Sequence, residues 1–141
     1  MRALRPKHAP DPGAQQRVRA FRATDAFVLE AYREAASLRG SLGAEIGREI
    51  RTVVVRCGGA LVAASAAESG LPAERRLLES ARLSLAEGRY YLYLARRVGL
   101  LDQRRYRGLM ARHEAALREL EAALPDRRPA GRSDGGPREP G

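Results

Sequence analysis

The sequence predicts an all-α fold, an antiparallel up-down-up-down four-helix bundle with flexible tails, on three observations. Its 141 residues are rich in Ala, Leu, Arg and Glu, with 5% aromatics and no Trp, a profile poor in strand formers. Its prolines lie at the two ends: Pro6, Pro10 and Pro12 in the head, and Pro125, Pro129, Pro137 and Pro140 in the tail. Pro72 alone lies between, where it suits the first turn of a helix. The stretch from Pro72 to Gly99 carries a heptad seam, Leu78, Ala81, Leu85, Gly88, Leu92 and Ala95. Large and small residues alternate along it, so a facing helix can set its own large side chains over the small positions. The length fits one domain. Residues 1–14 read as a flexible basic head, 15–124 as the bundle, and 125–141 as a disordered tail without apolar residues to order it.

Helix 1 is expected from near Gln16 to Leu38, with Phe21, Thr24, Val28, Ala31, Ala35 and Leu38 at 3–4 spacing and Phe27 and Tyr32 beside them. Thr24-Asp25 equally suits the cap of a shorter helix. Gly40 stops the helix. Helix 2 is expected from Gly43 to Glu68, its seam Ile46, Ile50, Val53, Cys57, Ala60 and Ala64. Residues 57–64 are apolar nearly all round, which predicts enclosure on most sides, and the Gly58-Gly59 pair predicts a close backbone approach. Ser69-Gly70-Leu71 makes the next turn. Helix 3 ends at Gly99 after Arg96 and Arg97, which suit the negative end of the helix dipole. Asp102 caps helix 4, with Leu101 and Tyr106 at hydrophobic-staple spacing. Tyr106, Leu109, Met110, His113, Leu117, Leu120 and Leu124 then form its seam.

The formal net charge is +9, which invites a nucleic-acid reading. Residues 1–22 hold six basic residues against Asp11, a net of +5, and the remainder reads as nearly balanced. No run approaches the roughly 20 apolar residues of a membrane span, and no apolar segment follows the basic N-terminus as a secretory signal requires. A cytoplasmic location is the expectation. Cys57 is the only cysteine, which excludes an intrachain disulfide and a cysteine-based metal cage. It reads as a small buried side chain.

Several blocks, taken in order, resemble the four helix bundle protein family, first known from intervening sequences of bacterial 23S rRNA genes. Phe21 stands where that family usually has Trp, and Val28-Leu29-Glu30-Ala31-Tyr32 matches its apolar-apolar-Glu-x-Tyr run. Thr52 through Arg56 and Ala67-Glu68 match its helix 2 block. Ala81-Arg82-Leu83-Ser84-Leu85-Ala86-Glu87 follows its Ala-x-Gly-Ser-x-x-Glu block, and Gly99-Leu100-Leu101 with Tyr106 fits its helix 3–4 corner. The sequence departs from the family at Cys57, Leu61, Ala63, Ser65 and Ser69, where the family has Arg, Ser, Pro, Asn and Gly. The polar cluster at the end of helix 2 is therefore mostly missing. The resemblance implies a homo-oligomer, often a pentamer, with no established enzymatic activity. A related branch, the accessory variability proteins of diversity-generating retroelements, implies a reverse transcriptase and nucleic acid as partners.

Two surfaces are candidate sites. Leu83, Ala86, Tyr90, Tyr93 and Leu94 lie on the far side of helix 3 from its seam, and Leu83, Tyr90, Tyr93 and Leu94 are the expected oligomer contacts. The tyrosines could instead stack on bases; a protein contact suits the mixture with leucine better. Arg75, Arg82, Arg89 and Arg96 recur every seven residues and could track phosphates, or cover the seam edge and pair with glutamates. Arg2, Arg5, Lys7, Arg17, Arg19 and Arg22 form the second basic set, and the N-terminal segment is expected to carry any weak RNA or DNA binding. His113 falls on an apolar seam and reads as a hydrogen-bonded core residue; the only other imidazole is His8. No nucleophile with a neighbouring base, Gly-rich phosphate loop or paired carboxylates stands out, and the expectation is a non-enzymatic protein without metal or cofactor. Two readings remain: an oligomeric structural or adaptor protein for a protein partner, and a basic nucleic-acid-binding accessory protein.

Overall fold

The computed structural model describes residues 12–124, which form four helices and no strand. They are α1 (Pro12–Ala36), α2 (Gly40–Ala66), α3 (Pro72–Arg97) and α4 (Gln103–Ala123). Residues 1–11 and 125–141 lie outside the described residues, and with them the expected flexibility of the tails. α1 opens at Pro12, inside the stretch expected as a head, and runs unbroken through Thr24-Asp25. Thr24 is thus a mid-helix residue and caps nothing.

Each helix packs on two neighbours, α1 on α2 and α4, and α3 on α2 and α4. Contacts give the register. Gln16 reaches Glu119 at one end of the α1–α4 pair, and Glu34 faces Arg105 at the other. Leu38 lies against Gly43, and Val28 against Gly58. Cys57 Sγ donates to the Ala81 carbonyl at 3.4 Å, and Arg56 approaches Glu87. His113 meets Leu85, and Arg96 lies over Tyr106.

The six seam residues of α3 are all buried, facing Ile50, Val53, Val54 and Cys57 of α2 among others. Leu85, Leu92, Leu109, Leu120, Ile50 and Phe27 are the largest apolar members of this core. Fully burying one such side chain contributes about 1.5–3 kcal/mol. α1 keeps Thr24, Ala31 and Ala35 of the expected stripe and completes it with Ala20 and Phe27 instead of Phe21 and Val28. Ala20, Thr24, Phe27, Ala31 and Ala35 are buried, while Phe21 and Tyr32 are exposed and Val28 is half-buried. Phe27 takes the central place because its ring meets the His113 ring edge-on, with centroids 5.2 Å apart.

In α2, Leu61 is buried where Ala60 was expected, and the apolar second half is not enclosed. Val55, Val62, Gly59 and Ala63 are exposed. Nothing lies within 4 Å of a side chain added at Gly59, and at Gly58 the nearest atom is 3.9 Å away. The close approach is at Gly43 and Gly47 instead. A Cβ at Gly47 would lie 2.6 Å from the Ala35 carbonyl oxygen, and one at Gly43 would lie 2.8 Å from Leu38 backbone. Hydrogen atoms at these positions let the two backbones meet.

Helix ends are fixed by local chemistry. Gly99 has φ +84°, and it hands its own N–H to Arg96 while Leu100 N–H donates to Ala95, closing α3 in a Schellman turn. Asp102 Oδ1 accepts from the Arg105 N–H at 2.8 Å and caps α4. Leu71 gives α3 no side-chain cap. Glu74 substitutes: its carboxylate accepts from the Gly70 N–H at 2.9 Å and pairs with Arg17 of α1 at 3.2 Å.

Candidate functional site

The outer face of α3 carries an exposed set of apolar and aromatic side chains. An amphipathic helix needs one apolar stripe to join a bundle, and α3 spends that stripe on its seam. On the opposite face Leu83 is 62% exposed, Tyr90 55% and Tyr93 43%. Leu94 sits apart from these three. It is half-buried, packs against the core, and lines a cleft with Leu42, Ile46, Tyr91 and Val98. Tyr90 and Tyr93 rings lie 6.4 Å apart, and Leu83 stands about two turns before Tyr90 on the same face.

Basic residues also gather in the chain on either side of the α3–α4 turn, although Arg104, Arg105 and Arg112 line a cleft with Glu30 and Glu34 of α1 rather than the outer face of α3. Residues 88–113 contain Arg89, Arg96, Arg97, Arg104, Arg105, Arg107 and Arg112 against Asp102 alone, a net of +6. Residues 114–124 hold Arg118 against Glu114, Glu119 and Glu121. The expected near-balance outside the N-terminal segment does not hold: residues 12–124 carry 19 Arg against 13 Asp and Glu, a net of +6, which equals the excess within residues 88–113. Two guanidinium groups are held on aromatic faces there: Arg96 at 5.8 Å from the Tyr106 ring centre and Arg97 at 5.5 Å from that of Tyr93. Such stacking fixes the cation and leaves its edge donors free. Arg97 also donates to the Tyr93 hydroxyl at 3.3 Å. Arg105 is engaged with Asp102 and Glu34.

The heptad arginines divide. Arg82 is tied to Glu79 at 3.0 Å and serves the helix surface. Arg75 is half-buried, and Arg89 is exposed. Arg96 covers Tyr106, as its stem and head suit the edge of the α3–α4 seam. In α1, Arg17 pairs with Glu74, Arg19 bonds Gln16 and approaches Glu119, and Arg22 rims a groove with Val18, Phe21 and Val62. Arg2, Arg5 and Lys7 lie outside the described residues. Arg97, Arg104 and Arg107 were missed by reading the sequence in heptads. A sliding charge count over 26 residues would have found them.

Other reactive groups are withdrawn from chemistry. Burial pushes the Cys57 thiol up to about 12, so the thiolate nucleophile is scarce. Tyr91 donates to Glu87 at 3.1 Å, and this bond raises its hydroxyl above the ordinary value. Among the described residues no three His, Cys, Asp or Glu side chains group as metal ligands, and no helix is long and apolar enough to cross a membrane. No family model matches the chain, and no curated protein matches it, so the resemblance rests on the motif residues quoted above.

Proposed function

We propose that this chain is a non-enzymatic, homo-oligomeric four-helix bundle, antiparallel in up-down-up-down order, acting as a structural or adaptor protein for a protein partner. The exposure of Leu83, Tyr90 and Tyr93 along α3 carries the proposal. An exposed apolar patch of this kind on a soluble surface marks a contact site. Charge favours one geometry of association. Parallel pairing of α3 with α3 about a two-fold axis along the helices would bring Arg89 and Arg97 of both copies together, a like-charge contact. A ring, in which α3 meets a different face of the next copy, avoids this and fits the closed oligomer that the family resemblance implies. Sedimentation of the wild type and of Leu83→Glu with Tyr90→Glu tests it. The expected result is an oligomer that the double substitution dissociates; a wild-type monomer at micromolar concentration refutes self-association.

The net +6 of residues 88–113, with two guanidinium groups stacked on tyrosines, favours a second reading. This is a basic nucleic-acid-binding accessory protein, working with a reverse transcriptase as the resemblance implies. Phosphate contacts release counterions, so RNA or DNA affinity should fall steeply with salt. Two variants locate the site: a chain lacking residues 1–11, and Arg96→Ala with Arg97→Ala and Arg107→Ala. A flattened salt slope only in the truncated chain places binding on the head, and only in the triple variant on the α3–α4 corner. No binding by the full chain at low salt removes this reading.

A further inference from the structure

Among the described residues, His113 is a titratable side chain sealed into the core, and a second buried polar group without a partner lies on α1. The ring is 1% exposed, and Nε2 lies 2.8 Å from the Leu85 carbonyl oxygen. A carbonyl only accepts, so Nε2 carries the hydrogen and Nδ1 is the bare nitrogen of the neutral ring. Nδ1 has no partner among the described residues, and neither has the fully buried Thr24 hydroxyl. Thr24 sits one turn before Phe27 on the same buried stripe of α1, and Phe27 contacts the His113 ring. The pairings Gln16–Glu119 and Glu34–Arg105 put Thr24 and His113 at matching levels of α1 and α4.

We infer that His113 is an acid-sensitive latch: protonation of Nδ1 sets a buried cation, with no carboxylate bonded to it, where α1, α3 and α4 meet, and loosens their packing. The neutral ring joins two helix pairs at once. It bonds α3 through Leu85 and packs on α1 through Phe27, so it cannot turn Nδ1 toward water without breaking one contact. The charged groups around it do not offset the cation. Arg89, facing it from α3, disfavours the imidazolium; Glu114, on α4 itself and exposed, favours it weakly; α1 offers only Phe27 and Thr24, which carry no charge. Burial is the largest influence holding the ring below its ordinary value.

The folded state therefore binds fewer protons than the unfolded chain between the two values of this imidazole. The His113 contribution is complete above about 6.5 and is lost as pH falls from there through the folded-state value. As pH falls through that window the unfolding constant rises, by at most about tenfold per pH unit, the limit for one linked proton. At lower pH, carboxylates such as Glu74, which pairs with Arg17, add their own losses.

Imidazole NMR of the full chain gives the direct test, because only His8 and His113 report, and His8→Ala assigns them. The expected spectrum shows His113 as the Nε2–H tautomer, still neutral at pH 6.5, with its titration midpoint displaced below that of the unfolded chain. Urea unfolding between pH 8 and 5 follows the consequence in the wild type and in His113→Gln, which keeps a donor for Leu85 but has no proton to gain. A midpoint that falls with acid in the wild type and markedly less in His113→Gln supports the latch. Equal losses in both proteins overturn it, as does a His113 titration at or above 6.5 or the opposite tautomer. If His113→Gln does not fold, the wild-type spectrum alone decides.

Discussion

Replacing Gly47 by alanine should force α1 and α2 apart. The added methyl would stand 2.6 Å from the Ala35 carbonyl oxygen, whereas ordinary contact begins at 3.4 Å, so the backbones must separate locally by about 0.8 Å. The obstacle is backbone, which cannot swing aside as a long side chain can. Overpacking of this kind costs about 1–3 kcal/mol. Removing a helix-interior glycine returns about 1 kcal/mol. A net loss of up to about 2 kcal/mol is expected. Gly59→Ala, in the same helix and with nothing within 4 Å, keeps the gain without the clash and should stabilise by about 1 kcal/mol. Urea denaturation should rank the midpoints as Gly59→Ala, wild type, Gly47→Ala, with unchanged slopes. A Gly47→Ala midpoint at or above wild type would refute the close backbone approach and the α1–α2 packing drawn from it.

Three further outcomes test other parts of the fold. At Gly88 a Cβ meets Val53 at an ordinary 3.5 Å, so Gly88→Ala should be tolerated, while Gly88→Leu overpacks the seam and costs about 1–3 kcal/mol by thermal or urea unfolding. Asp102→Ala removes the 2.8 Å bond to the Arg105 N–H and should lower stability by about 1 kcal/mol, with faster amide exchange confined to the first turn of α4; uniform exchange would contradict the cap. Cys57, with its thiol raised to about 12, should resist an aromatic disulfide reagent at pH 8 and react at once in denaturant, and equal rates in both states would show the site open.

Where residues fix their own geometry, the sequence was readable. Asp102 and Gly99 mark their helix ends by chemistry confined to a few neighbouring residues, and both act as expected. The α3 seam was equally legible, since strict alternation of large and small residues leaves one face to bury. α1 was not. Two stripes satisfy its 3–4 spacing, one through Phe21 and Val28 and one through Ala20 and Phe27, and only the partner helix decides between them. His113, more than eighty residues downstream, makes that choice by meeting Phe27. The Gly58-Gly59 pair misled for a related reason. A glycine shows that a close approach is permitted, and which glycine receives one depends on where helices cross. The α3 outer stripe was found, though Leu94 turned inward to the α2 cleft. The basic corner escaped because its arginines come from two helices, on either side of a turn that holds none.

Gln16 donates to both the Glu119 carbonyl and its carboxylate, so the first turns of α1 lie beside the last turns of α4. With α1 next to both α2 and α4, the helices form a closed cycle, and the order in which the chain visits them is a matter of where the cycle is cut. A short polar linker from Leu124 back to Pro12, with new ends opened in the exposed turn at Glu68-Ser69-Gly70, would give the order α3, α4, α1, α2 around the same core. That rearranged chain keeps every interhelical contact except those of the severed turn. It would carry new termini beside Glu74, and its linker would take the place of residues 1–11 and 125–141. The bundle thus separates what holds it together, the facing of seams, from what merely strings it together.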